Sequence, residues 1–268
     1  MRKTPARGTS KRDASQYLAS ERVLPVLSAC RLKVYFGSGA LWLAVSQSEA
    51  KLLQNYAIGN SEGGPATAVK TSLTLGPSQQ GSLQQSELTS VRLSPEEGIF
   101  LAHAVENIQF FANTGPCSLE SLWHSFVHGN EGFVHSYVAY HHFRSKGWIP
   151  RSGLQYGTDL VLYKQHPSLV HSTLCILIMP VIFSKEDAEQ STTSNPGLLV
   201  DGQYGNLSWH DVEGINRLCV RVGKRLMLLY VQPQCADLDL TTPACLDNFA
   251  VAEHMVERWV PEATINLM

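Results

Sequence analysis

The chain has 268 residues, 44% of them hydrophobic and 16% charged, and a net charge of −2 with histidine neutral. That length allows one large domain or two small ones with a real core, and the near-neutral balance excludes the global basic field of a general nucleic-acid binder. An anionic partner must therefore be held by a local patch, and the low charged fraction leaves room for a subunit interface.

The first fifteen residues, MRKTPARGTSKRDAS, are basic and polar with no apolar segment behind them. They fit a flexible arm and not a secretory signal, and no later apolar run reaches the length of a bilayer span. RLKVYF and LWLAV around the turn signal GSG predict a small β-rich segment, which completes an N-terminal region over 1–58. Between 59 and 92 the composition shifts to Gly, Ser, Gln and Thr, as expected of a flexible linker with little core content.

A strong helix start follows. Ser94 can cap, Pro95 sits at the first helical position, and Glu97 completes a capping box. The helix is expected to run until Asn113-Thr114-Gly115-Pro116. Further helices are predicted from Ser118 to near Gly129 and over about 131–145, with Gly147 just past the end. With no strand expected between them, 93–134 is predicted as a helical subdomain.

After Trp148 the pattern changes. GLQYGTDLVLY and HSTLCILIMPVIF are β-type runs around the loop 164–170, and 184–207 is a polar insertion. Ser208, with Asp211 three residues on, caps a helix that leads into the apolar strand KRLMLLYVQ. VAEHMVERWVPE then fits a short helix or strand. Strands alternating with a capped helix over 135–262 predict a compact α/β (α+β) domain with a small mixed sheet.

Two basic stretches stand out. RLCVRVGKR at 217–225 holds four cations and no acid, and at 100° per residue Arg217, Arg221, Lys224 and Arg225 would share about one third of a helix circumference. Either this is solvated surface or it faces phosphates. The second stretch has Arg144, Lys146, Arg151 and Lys164 against the single acid Asp159, and it runs into LYKQHPSLVHS. There Tyr163 and His171 flank a tight loop. They are either the polar ends of a surface hairpin or half of an active site.

Tyrosine, histidine and a cation suit phosphodiester cleavage in RNA. A base takes the 2′-hydroxyl proton, an acid protonates the departing 5′-oxygen, and a cation stabilises the crowded charge. A tyrosine is a costly base, since only about a thousandth of an ordinary phenol is ionised at pH 7, a deficit of roughly 4 kcal/mol. An ammonium nearby would lower that cost. The six cysteines show no CxxC or Cys/His pair at zinc spacing, so reduced buried thiols and no metal site are expected. Asp159, Asp211 and Glu213, the carboxylates of the candidate region, lack the paired spacing of a metal-dependent nuclease.

AYHHFRSKGWIPRSGLQYGTDLVLYKQHPSLVHS, followed by SWHDVEGINRLCVRVGKRLMLLYV, resembles the catalytic subunit of eukaryotic tRNA-splicing endonuclease, of the type assigned to the 5′ splice site. The resemblance runs over 135–260 and, more weakly, 93–134. It implies a catalytic Tyr, His and Lys at Tyr163, His171 and Lys224, acting as base, acid and cation. It sets aside Tyr156 and His166. It implies that Arg217 and Trp259 clamp an intron nucleotide, with Arg221 and Arg225 as further RNA-binding cations. No metal or cofactor is implied. The implied partners are precursor tRNA, a second catalytic subunit and two structural subunits, and the implied location is nuclear, with cytoplasmic or organelle-associated placement also open. The loop here reads KQHPS where relatives have a basic residue followed by Gly-Pro. A structural or purely RNA-binding subunit is the alternative.

Overall fold

The computed structural model describes residues 32–37, 40–60, 89–105, 107–112, 115–181, 207–235 and 238–257. The chain divides into two compact units, one holding 1–133 with His166–Leu169, the other 134–165 with 170–268. The basic arm, most of the 59–92 segment, most of the 184–207 insertion and Trp259 lie outside the described residues.

The first unit contains a five-stranded mixed sheet in the order β3-β2-β1-β4-β5. Its strands are β1 (Leu32–Gly37), β2 (Ala40–Val45), β3 (Thr89–Leu93), β4 (Ile108–Ala112) and β5 (Gly115–Cys117). Two of these correct the linker and helix expectations. Ser90 and Val91 of β3 are buried against β2, so 89–92 is core and not linker. Helix α2 (Pro95–Ala104) stops eight residues before Ala112, because Val105 turns to an extended conformation and Ile108–Ala112 pairs in parallel with β1. The segment 93–134 is therefore mixed and not purely helical.

Local signals do fix where the helices begin. The capping box of Ser94 and Glu97 is formed in both directions, and Ser118 caps α3 (Leu119–Gly129). Helix α1 (Gln47–Asn55) has the same device in Ser46 and Glu49, a signal the composition of that stretch obscured. Trp123, Phe126 and Phe133 stack edge to face or tilted at about 5 Å and are almost wholly buried, each contributing about 2–3 kcal/mol of burial. Gly98 lets α2 lie on β2, since a Cβ there would fall 2.2 Å from Leu41 Cδ1. Within this unit His166 is buried, with Nε2 2.8 Å from the Gln54 carbonyl and Nδ1 accepting the Ser168 N–H at 3.2 Å.

The second unit has a five-stranded sheet ordered β10-β9-β8-β7-β6. The strands are β6 (Ile149–Ser152), β7 (Leu160–Tyr163), β8 (Leu174–Pro180), β9 (Arg225–Pro233) and β10 (Phe249–Val256). All neighbours are antiparallel except β8 and β9. A parallel pair needs a crossover, and the connection contains α5 (Trp209–Arg221). Val212 and Cys219, seven residues apart on one helical face, pack on Val161, Cys175, Leu177, Met179, Leu226 and Leu228 of the sheet. β8 is the central strand, apolar on both faces.

Helix α4 (Phe133–Ser145) ends at Gly147, which has φ +80°. From its last turns His142 Nε2 and Lys146 Nζ both reach Glu253 Oε1 of β10, at 2.8 and 2.7 Å. Burial pushes the Glu253 carboxyl up, but those two hydrogen bonds outweigh it and hold the group below the usual carboxylate value.

Gly98→Ala should destabilise the first unit by about 1–3 kcal/mol in denaturant unfolding, because Leu41 must leave its rotamer; an unchanged midpoint would refute the close approach. Glu253 contributes stability above its unfolded pKa that is lost as pH falls through the lower folded one. Glu253→Gln should therefore be less stable than the parent at pH 7, with the gap closing in acid; a constant gap across the titration would count against the ion pair.

Candidate active site

Tyr163 ends β7, His171 lies in the turn from β7 to β8 and Lys224 directly precedes β9, and the sheet register brings this end of the three strands together. Leu162 pairs with Leu174, and Leu174 pairs with Arg225, so β7, β8 and β9 are aligned in a row. The ladder runs one bond further: Thr173 N–H donates to the Leu162 carbonyl at 3.0 Å, and Arg225 N–H to the Thr173 carbonyl at 3.1 Å. Tyr163 is the residue after Leu162, and Lys224 is the residue before Arg225. With strands about 4.8 Å apart, their backbones stand about 10 Å from each other across the start of β8. His171 lies three residues ahead of Leu174 in the turn and does not open the strand as expected.

Each side chain is differently held. Tyr163 is half-buried, its ring packed on the core beneath α5. His171 is exposed. Among the described residues neither side chain has a hydrogen-bond partner, so both are available to exchange a proton with a ligand. His166, five residues before His171, is engaged at both ring nitrogens.

Lys224 is the unusual one. It is 7% exposed. Its Nζ donates to the Ser172 carbonyl at 3.2 Å and lies 4.9 Å from the Tyr156 ring centroid. Among the described residues no carboxylate pairs with it. A buried ammonium lacking a fixed anion is costly in the folded state and suits an anion that arrives with a ligand. Beneath it Cys175 and Cys219 are hydrogen-bonded; the Cys219 thiol holds Cys175 down, while Cys219 itself is pushed up by that contact and by burial.

The position of Lys224 corrects the helical stripe. Helix α5 ends at Arg221, Val222 is its cap, and Gly223 turns with φ +71°. Lys224 therefore precedes β9 and Arg225 opens it, one buried and one exposed, and neither shares a helix face with Arg217 and Arg221. Arg217 is exposed and pairs with Glu213 at 3.3 Å. Arg221 is exposed in the last helical turn. Arg225 is exposed and holds Glu257 at 2.6 Å. Trp259 is outside the described residues, so its pairing with Arg217 is untouched by the structure.

The SGLQYGTD segment is scaffolding for this end of the sheet. Residues Leu154–Tyr156 make one 3-10 turn, closed by Gly157 at φ +68°. The Thr158 hydroxyl, 3.3 Å from the Gly153 carbonyl, donates back to it. Gly153 admits no side chain, since a Cβ would sit 2.4 Å from Thr158 Oγ1. Asp159 Oδ2 accepts the Ile178 N–H at 2.7 Å. That carboxylate is thus tied to the central strand, while Asp211 caps α5 and Glu213 holds Arg217. All three candidate metal carboxylates have structural tasks. Sequence reasoning set Tyr156 aside as a catalyst and missed it as the platform for Lys224; no local pattern pairs residues 68 apart.

Residues 133–238 match the tRNA intron endonuclease catalytic C-terminal domain. The chain is 34% identical over 172 residues to tRNA-splicing endonuclease subunit Sen2 of Gallus gallus, covering 63% of this chain and 34% of that protein. It is 36% identical over 173 residues to subunit Sen2-1 of Arabidopsis thaliana, covering 64% and 65%. With subunit SEN2 of Saccharomyces cerevisiae the identity is 27% over 187 residues, covering 65% and 42%. The chain thus spans about one third to two thirds of the length of these curated relatives.

Lys224→Met should change the unfolding free energy by no more than about 1 kcal/mol, since the lost contacts are offset by the removed desolvation cost of an unpaired buried charge. A loss above about 3 kcal/mol would mean the ammonium is a structural keystone.

Proposed function

We propose that the chain, whose residues 133–238 match the tRNA intron endonuclease catalytic C-terminal domain, is a catalytic subunit of a tRNA-splicing endonuclease, cutting precursor tRNA at an exon–intron junction. Tyr163 takes the proton of the 2′-hydroxyl at the junction. The freed oxygen attacks the adjacent phosphorus. His171 gives a proton to the departing 5′-oxygen, and Lys224 stabilises the negative charge that builds on phosphorus. The products are a 2′,3′-cyclic phosphate and a 5′-hydroxyl end. No step requires a metal.

The observation that carries this reading is the register of β7, β8 and β9, which sets the backbones of Tyr163 and Lys224 on either side of the start of β8, three residues after the exposed His171. The buried, carboxylate-free state of Lys224 supports its assignment as the charge-stabilising group. Arg217, Arg221 and Arg225, all exposed, are assigned to RNA backbone or base contact, with Trp259 as the stacking partner of Arg217. The 5′ junction as the site of cutting, a nuclear location, and an assembly with a second catalytic and two structural subunits belong to the same proposal. So does the catalytic role itself, as against a scaffold within that assembly.

The test uses the complex reconstituted with its partner subunits, an intron-containing precursor tRNA and excess chelator. Wild type should cut both junctions with chelator present. His171→Ala should leave one junction uncut, with the rate there reduced by about 10²- to 10⁴-fold, and the surviving junction identifies the site this subunit owns. Normal cutting of both junctions by His171→Ala, or loss of wild-type cutting on chelation, would sink the triad.

A further inference from the structure

The basic stretch over 144–164 is not absorbed by the triad, and the structure sorts its members. Arg144 is buried with Nε donating to the Tyr140 hydroxyl at 3.1 Å. Lys146 is neutralised by Glu253. Asp159, the one acid in the stretch, is turned to the Ile178 N–H. Lys164 is left. It is exposed, no carboxylate pairs with it among the described residues, and its Nζ sits 5.7 Å from the ring centroid of Trp148. Ile149 and Tyr163 are register partners on β6 and β7, so Trp148 and Lys164 are the next facing positions outward, beside Tyr163 at the same end of the sheet.

We propose that Trp148 and Lys164 form a nucleotide subsite, in which Lys164 takes a backbone phosphate and Trp148 stacks the base of a nucleotide next to the scissile bond. The proposal rests on the functional reading of Tyr163 given above. Alternation along a strand turns Lys164 away from the face that carries Tyr163. Its ammonium is thus suited to a neighbouring phosphate and not to the one being cleaved, which is left to Lys224. The indole is half-buried, which fixes its plane, and an exposed cation–π contact is a weaker interaction than base stacking on an aromatic ring. RNA can therefore displace the ammonium from the indole and then occupy both groups. Free, the pair keeps the lysine near the ring and limits the rotamers it must give up on binding.

The experiment uses the reconstituted complex and two forms of the same precursor tRNA, one cleavable and one with a 2′-deoxynucleotide at the junction, which can bind but cannot be cut. Lys164→Gln should weaken binding of the deoxy RNA about 3- to 10-fold and reduce the salt dependence of affinity by about one phosphate contact, with the single-turnover rate at saturation unchanged. Trp148→Leu should weaken binding by a similar factor, and Trp148→Phe should restore it. Lys146→Gln serves as the control and should leave affinity unaltered. Equal affinity and equal salt slope for wild type and Lys164→Gln would overturn the subsite and make the pair a local packing contact, whether or not Trp148→Leu folds. Wild type that binds the deoxy RNA but never cuts its cleavable form would instead overturn the catalytic reading, with the affinities still deciding the subsite.

Discussion

The parallel pairing of β8 with β9 is the constraint on which the site depends. Tyr163 and His171 are joined by a short hairpin and would be neighbours in many folds. Lys224 is 53 residues beyond His171, after an insertion and a helix. It reaches them because Leu174 pairs with Arg225 and because Val212 and Cys219 seat α5 on the sheet between the two strands. The buried face of α5 is therefore as much part of the candidate site's geometry as the polar groups are. A slip of one residue in that pairing would turn Lys224 to the opposite face.

The local scaffolding is made of groups that resemble chemistry and do structure. Asp159, Thr158 and Gly153 lie in a motif dense with polar residues, yet each is committed to backbone: a carboxylate on Ile178, a hydroxyl on Gly153, and a glycine that admits the close pass. Tyr156 contributes its ring face to Lys224 and so is placed by packing as well as by charge. The cost of holding an ammonium there without an anion is carried by the surrounding core. Such a site has most to gain when an anion appears within it.

Much of the fold was legible because helix starts are local. Ser94, Ser118 and Ser208 announce their helices through side chains that bond three residues away, and the structure has all three caps. Strands β3, β4 and β5 were not legible. Five or fewer residues carry little periodicity, and what stabilises them is a partner remote in sequence. The helix from Ser94 is shorter than its sequence pattern suggests, since no Gly or Pro directly follows Ala104 and only the β-branched Val105 marks the turn. The stripe of cations failed for the opposite reason, since Gly223 was present and its left-handed turn ends the helix before Lys224. Tyr163 and His171 stand out by proximity and Lys224 as one of four clustered cations, but its assignment as the third member rests on resemblance, as its partners Ser172 and Tyr156 are far away in the chain.

The two hairpin histidines show one residue type used in opposite ways five positions apart. The Nδ1 of His166 accepts the Ser168 N–H, which places the ring proton on Nε2, facing the Gln54 carbonyl. Both ring nitrogens of His166 are thus engaged, one by an N–H two residues on and one at a carbonyl 112 residues away in the chain. His171 has no such bond among the described residues, and either of its nitrogens can carry the proton. The first ring ties its stretch of chain down, and the second, exposed and five positions on, can turn to meet a ligand without disturbing that tie.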